Sequence, residues 1–503
     1  MRLVGVIGSG STTTYAPLLV YETNETLAKE EQLVIVDDRR RNMKYLGVIR
    51  RVHRYEPFLD PKRRTSYVDN PNLVDHGVMP HTSAWVTLIG SIITGSIGDV
   101  QLPPNPGSYV YVIESPKDLE LGIDVNKSLI IGRHKYSGIE VPLDPSALPM
   151  HTIVVGATGT GKSRLVKALT DEILAKTDYS VIIFDHTGMD YVPYYRDKVI
   201  EASKIVLDPI LITDLMIERA DLDARYEQYI LPAVLMYMTQ AINVDNESRS
   251  TMRLSERSYS VYDLDMLASI DMNKLMSDVA SKAIEWKLEK FKELAIDLAH
   301  RMAGSQRRSV ELRLSIAIDI KLGKSFFRML SNRDLLPNAI IDKLRKEKLI
   351  VIDLSTEDIL IRRYVVASII SSIWKIIESE RKKVNIIAVI DEAHNYACRY
   401  CGEPHKEISR VAREGRKWGF GLVLATQRMV DIDPEIRGNV NTVIFSKLQT
   451  PSDFNEISAY MDLAGLTEAS LAILSKREFF IAGLMNTLRV PILIKVKEVM
   501  SPV

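Results

Sequence analysis

The run Gly156-Ala157-Thr158-Gly159-Thr160-Gly161-Lys162-Ser163 constrains this chain more than any other feature. A glycine, four free positions, Gly-Lys and then Ser or Thr is the spacing of a phosphate-cradling loop between a strand and a helix. The context agrees: apolar Ile153-Val154-Val155 precede the run, and Arg164-Leu165-Val166-Lys167-Ala168-Leu169 open a helix-like segment behind it. Glycines let successive N–H groups turn inward on an anion, and the helix N-terminus adds partial positive charge at the same place. The expectation is that Gly156 to Arg164 surround the phosphates of ATP, with Lys162 bridging the β- and γ-phosphates and Ser163 on Mg²⁺. A plain glycine turn is the alternative. Gly323-Lys324-Ser325 lacks an upstream glycine and strand and reads as incidental.

Hydrolysis also needs an acid near Mg²⁺ and a group to activate water. Three apolar runs end in aspartate, at Asp185, Asp353 and Asp391, and only Asp391 is followed by a glutamate. A carboxylate at a strand end can hold the metal's hydration shell while its neighbour reaches the attacking water. Asp391 is therefore assigned to Mg²⁺ and Glu392 to water. For Asp353 a polar strand terminus is the favoured reading, and for Asp185 the two readings stand side by side. Gln427 ends the next apolar run, where its amide could contact the γ-phosphate or the water; bonding to backbone is the plainer alternative. Between those runs Arg410, Arg413, Arg416 and Lys417 make a basic stretch, which alone is usually a solvated face. In a ring ATPase an arginine here could enter a neighbour's site, with Arg416 the first choice and Arg413 the second.

Cys398 and Cys401 form a C-x-x-C near His405. Zinc would need further ligands, and no second cysteine pair exists, so a redox pair or two ordinary thiols is the reading. Two cysteines cannot frame a chain of 503 residues with disulfides. Charge is balanced, 65 basic against 65 acidic residues, so any nucleic-acid contact must come from a local patch. The ten Arg and Lys residues from Arg39 to Arg64 are one such candidate, with a solvated face as the alternative. The longest apolar stretch, Tyr364–Ile377, is interrupted by Ser368, Ser371, Ser372 and Lys375 and is shorter than the ~20 residues of a span. With no signal-peptide pattern at the start, the expectation is a cytoplasmic protein without a membrane partner.

Residues 1–147 hold short β-rich runs, Leu3–Ile7, Gln32–Val36, Leu46–Arg50, Ala84–Ile89, Tyr109–Ile113 and Ser128–Ile131, separated by Gly/Pro turns. That pattern predicts a small barrel or sandwich. From residue 148 to 503, runs such as Val181–Phe184, Leu349–Ile352, Ile386–Ile390, Leu422–Ala425 and Val443–Phe445 predict strands buried on both faces. Between about 208 and 336 the strand signal stops. Leu288, Phe291, Ala295, Leu298 and Met302 recur at helical spacing there, predicting a mostly helical insertion. The fold class expected is α/β, a RecA-like P-loop core with a helical insertion and an N-terminal β-barrel.

HTIVVGATGTGKS, IIAVIDEAHNY and VAREGRKWGFGLVLATQR, with LGVIRR, the Leu102–Gly107 turn and VIIGR in the β-rich part, together resemble the HerA family of hexameric DNA translocases in the HerA/FtsK group. The resemblance covers nearly the whole chain. It implies a ring around duplex DNA or DNA ends, ATP-driven translocation and a NurA-like nuclease partner, and supports Lys162, Asp391, Glu392, Arg416 and Gln427 in the roles above. This chain departs from the family where Met150 precedes His151 in place of an arginine, and where HTGMDY follows Asp185 in place of PHGEY. Arg399 and Lys406, in and after the loop following Glu392, are the candidates for DNA contact. Two other readings are an ATP-gated DNA clamp or scaffold that recruits a nuclease, and a protein-remodelling ring ATPase.

Overall fold

A computed structural model of the chain describes residues 1–56, 59, 69, 81–93, 96–119, 126–243 and 270–499. The first seven strands are β1 (Arg2–Ile7), β2 (Tyr15–Val20), β3 (Leu33–Asp38), β4 (Met43–Tyr55), β5 (His81–Ile93), β6 (Ser96–Gly98) and β7 (Tyr109–Val112). They run in the order β2-β1-β7-β3-β4-β5-β6, and β2 also pairs with β5. That extra pairing closes six antiparallel strands into a barrel and leaves β6 as an appended hairpin strand. The alternation expected of one-sided burial is plain in β2, where Ala16, Leu18 and Val20 point inward and Tyr15 and Leu19 outward. Val4, Val34, Val36, Tyr45, Ile49, Val86 and Val110 fill the same interior.

The remaining strands are β8 (Gly132–His134), β9 (Thr152–Val155), β10 (Ser180–Asp185), β11 (Val199–Glu201), β12 (Leu349–Asp353), β13 (Ile386–Ile390), β14 (Phe420–Thr426), β15 (Thr442–Phe445), β16 (Glu478–Gly483) and β17 (Ile492–Val496). The chain divides into two compact units, Met1–Tyr179 with Gly421–Ser501, and Ser180–Phe420 with Pro502–Val503. In the first, β9 lies between β14 and β15 as parallel neighbours, and β15, β16, β17 and β8 continue as antiparallel neighbours. In the second, β11, β12, β10 and β13 are all parallel. Every residue of β9, β10, β13 and β15 is buried, as continuous Val/Ile runs demand of strands covered on both faces.

The stretch read as a helical insertion is helical where described: Pro209–Ala220, Glu227–Asn243, Met272–Lys282, Leu288–Met302, Arg307–Ile316 and Gly323–Leu330. Residues 244–269 of it lie outside the described residues. Leu288, Phe291, Ala295 and Leu298 are buried as expected. Met302 is not; as the last residue of its helix it is 39% exposed. Ser128–Ile131 is a second correction, since only an isolated bridge from Leu129 to Leu143 forms there and the strand is β8, which pairs with β17.

Two buried polar groups tie the barrel to the rest of its own unit. Arg50 is 2% exposed, and its guanidinium donates to Glu31 Oε1 at 3.0 Å and Oε2 at 3.2 Å. Its remaining N–H groups reach the carbonyls of Ala464 at 2.5 Å and Pro491 at 2.6 Å. His134 is 1% exposed and hydrogen-bonded to Ser137 Oγ and the Glu31 carbonyl, each at 2.8 Å. Burial pushes its imidazole down from 6.5 to about 4. Between those values the unfolded chain takes up a proton that the folded chain refuses. Stability is therefore expected to fall by about 3 kcal/mol as pH drops from about 6.5 to about 4, and to return above that window. Thermal unfolding across that range checks this: His134→Gln should flatten this part of the profile.

Candidate functional site

The strand register positions the glycine-rich loop. Val155, the last residue of β9, lies opposite Thr426 of β14 and Phe445 of β15, so all three strands deliver their C-terminal ends to one edge. The loop that leaves β9 is held there by backbone: Gly156 N–H donates to Thr426 O at 3.4 Å and Ala157 N–H to Lys447 O at 2.7 Å. The helix Lys162–Lys176 starts directly from Gly161, at φ 102°, a conformation only glycine adopts without strain. At Gly156 a Cβ would stand 2.8 Å from Thr160 Oγ1, so the loop closes on itself only with glycine there. Thr158, Gly159 and Arg164 are exposed at the rim, Thr160 is buried under it, and Ala157, Gly161, Lys162 and Ser163 are half-buried. Lys162 Nζ donates to Gly156 O at 2.8 Å, which places the ammonium over the cradle.

Gln427 follows β14 at the same edge. Its side-chain oxygen accepts from the Thr158 hydroxyl at 3.0 Å and from Gln449 Nε2 at 3.2 Å. These bonds link the glutamine directly to the phosphate loop. His151, just before β9, is buried with φ 63° and accepts from Leu422 N–H on β14 at 3.2 Å.

The other unit carries an acidic cluster of its own. Phe184 pairs with Ile390 and Asp185 with Asp353, so Asp185, Asp353 and Asp391 share one edge of that parallel sheet. The three differ in surroundings. Asp353 Oδ1 accepts from Ser355 N–H at 2.9 Å and Oγ at 2.6 Å, the strand-end turn that its sequence favoured. Asp185 is fully buried: Oδ1 accepts from the N–H of Thr187 and Gly188, and Oδ2 from those of Tyr191 and Val192. Asp391 is 5% exposed and its Oδ2 has no hydrogen-bond partner. Burial raises the Asp391 carboxyl well above the usual range, and the charges of Asp190, Glu392 and Asp185 push the same way. An uncompensated buried carboxylate is costly, and a cation is the usual remedy. Ligand atoms of Asp185, Asp190 and Asp391 lie within 4.8 Å of one another.

Glu392 has left-handed backbone, φ 45°, and its Oε2 lies 3.3 Å from His394 Nδ1. A non-glycine residue held there stores strain, which is tolerated where the surrounding bonds fix it. Those bonds come from Asn395, whose backbone N–H donates to Glu392 O at 2.9 Å and whose side-chain amide donates to it at 3.2 Å; Arg363 donates to Asn395 O at 2.9 Å, and the Tyr396 hydroxyl is hydrogen-bonded to His186 Nδ1 at 2.7 Å. Arg362 holds His186 in turn through its carbonyl at 2.9 Å. His186, Asp190, Tyr191, Arg362 and Tyr396 escaped sequence reasoning; their one signal was the polar segment HTGMDY after Asp185.

Cys398 and Cys401 are joined by a disulfide, and the second sulfur contacts Arg363 Nη2 at 3.6 Å. Arg413 and Arg416 are exposed, the first on the helix Glu403–Glu414 and the second in the turn Gly415–Trp418. Arg410 instead pairs with Glu378 and covers Trp374 at 4.5 Å. Arg399 is exposed, whereas Lys406 is ion-paired with Glu403. In the Arg39–Arg64 run, Arg39, Arg41, Arg50, Arg51 and Arg54 contact the protein itself; residues 57, 58 and 60–64 lie outside the described residues. No helix among the described residues is long and apolar enough to cross a membrane.

A glycine-rich loop between a parallel strand and a helix, beside a second strand followed directly by glutamine, defines a P-loop NTPase with a RecA-like core. Residues 129–373 match the HerA helicase central domain. The chain is 25% identical over 428 residues to the DNA double-strand break repair helicase HerA of Sulfurisphaera tokodaii, covering 81% of this chain and 76% of that one. It is 24% identical over 473 residues to the HerA of Sulfolobus acidocaldarius, covering 90% and 86%. VirB4 of Thermoanaerobacter pseudethanolicus shares the fold, with a TM-score of 0.51 and 15% identity over 75% of this chain and 98% of its own. Among P-loop ATPases, then, this chain is similar to the HerA helicases over most of its length.

Proposed function

We propose that this chain is an ATP-driven DNA translocase or helicase of DNA-end processing, acting as a ring, a hexamer as the family resemblance implies. The observation that supports this most is the Gln427–Thr158 hydrogen bond, which joins the strand-end amide to the phosphate loop of a HerA-like chain. Gly156 to Arg164 hold the triphosphate, with Lys162 leaving the Gly156 carbonyl for phosphate oxygen. Ser163 and Asp391 hold Mg²⁺, whose chemistry is to neutralise charge on the transferring phosphoryl group. Glu392 orients and deprotonates the attacking water. Gln427 reports the state of the γ-phosphate. Arg416, with Arg413 as the second candidate, is exposed and enters a neighbouring subunit's site in this reading.

In this reading residues 1–147 form the barrel domain and 148–503 the ATPase domain, with the insertion near 208–336. The partners are duplex DNA or DNA ends and a NurA-like nuclease, in the cytoplasm. Arg399 is the better DNA-contact candidate, because Glu403 occupies Lys406. Steady-state ATP hydrolysis with and without duplex DNA tests the proposal. Stimulation of about tenfold or more is expected; a rate indifferent to DNA would leave an ATPase without a DNA role.

A further inference from the structure

The loop that follows β10 has no role yet in nucleotide chemistry. Its shape is imposed by Asp185, whose two oxygens accept four backbone N–H groups, from Thr187 at 3.2 Å, Gly188 at 2.9 Å, Tyr191 at 2.8 Å and Val192 at 3.0 Å. Two donors on each oxygen use up its lone pairs, so Asp185 is a poor direct ligand although it lies in the carboxylate cluster. The same four bonds carry the next two residues to Asp391. Asp190 brings a half-buried carboxylate, with Thr187 Oγ1 donating to its Oδ2 at 3.1 Å. Tyr191 brings a hydroxyl that is fully buried and has no hydrogen-bond partner. Tyr191 N–H is bonded to Asp185 Oδ2 at 2.8 Å, and after burial itself the charges of Asp391, Asp190 and Asp185 push the hydroxyl up most strongly.

Two buried polar atoms without partners, Asp391 Oδ2 and Tyr191 Oη, thus stand beside one acidic cluster. Each would be costly to bury unsatisfied, and both would be satisfied together by a hydrated cation. We infer that Asp190 and Asp391 are direct ligands of a small, hard divalent cation that binds before nucleotide, with Asp185 supplying charge and loop shape and Tyr191 a hydrogen bond to a metal-bound water. Two carboxylates and several retained waters suit Mg²⁺ or Mn²⁺, which dehydrate reluctantly. The inference rests on Asp391 as a metal-shell carboxylate. It adds Asp190 and Tyr191 to that shell.

Mn²⁺ titration of the full-length, nucleotide-free chain, followed by electron paramagnetic resonance, tests it. One Mn²⁺ per chain is expected for wild type. Asp190→Asn should weaken binding by about tenfold or more, Asp190→Glu should keep it, and Tyr191→Phe should weaken it several-fold. Ser163→Ala should weaken it less than Asp190→Asn does. No Mn²⁺ on wild type without nucleotide, or wild-type affinity in Asp190→Asn, would overturn the inference. So would a loss in Ser163→Ala equal to that in Asp190→Asn, because the cation would then belong to the phosphate loop. Circular dichroism confirms that each variant is folded, and Asp190→Ser serves if Asp190→Asn is not. ATP hydrolysis by the same preparations separates the two readings. Mn²⁺ on a chain that hydrolyses nothing would keep the cation seat and refute the ATPase, and hydrolysis without nucleotide-free Mn²⁺ would do the reverse.

Discussion

Lys162→Ala is expected to lower ATP hydrolysis by roughly a hundredfold or more, the largest effect of any single substitution in the loop. The ammonium rests on the Gly156 carbonyl, over a cradle whose other donors are backbone N–H groups that mutation leaves in place. Removing it takes away the one full positive charge among the loop's side chains from Gly156 to Ser163. Glu392→Gln should differ in kind. Nucleotide binding survives, because Glu392 is no part of the phosphate loop, while turnover falls by about 10²–10⁴-fold with loss of the base. Steady-state hydrolysis paired with equilibrium binding of a fluorescent ATP analogue separates the two. Wild-type turnover in Lys162→Ala would remove the phosphate-loop assignment itself.

The second large effect is on stability. Arg50→Ala leaves Glu31, 1% exposed, without its cation and three backbone carbonyls without their donor. Breaking a buried pair from one side costs about 3–5 kcal/mol. Hydrogen exchange should show amide protection falling in β4 and in the segment around Leu463 and Ala464, which Arg50 holds together within one unit. The Glu31→Leu/Arg50→Met pair should regain most of the loss, since no buried charge then remains. A single variant as protected as wild type would mean that water enters and solvates Glu31.

Much of this was legible beforehand, and the exceptions have physical causes. The parallel strands announced themselves because burial on both faces requires unbroken apolar runs, and the glycine loop because its backbone geometry excludes most residues. β2 was missed: Pro17 interrupts it and Leu19 is 46% exposed, so Tyr15–Val20 lacks a strand's usual chemistry. Its pairing with both β1 and β5 is non-local and decides barrel against open sheet. β11, three residues long, carries too little pattern to read. At the site, Asp391-Glu392 stood out as adjacent acids after an apolar run. Asp190 and Tyr191 did not, because their approach to Asp391 depends on four N–H bonds to Asp185 that no residue spacing encodes. In the basic run of the barrel, Arg39, Arg41, Arg50, Arg51 and Arg54 each bond within their own unit, which residue spacing does not encode.

Strand displacement from a triplex tests the central claim most directly, because it reads movement along duplex DNA without requiring unwinding. With ATP and Mg²⁺ the wild-type chain should release the third strand, and Glu392→Gln should bind the DNA and release none. Robust DNA-stimulated hydrolysis with the third strand left in place would contradict translocation and leave a DNA-gated ATPase in its stead.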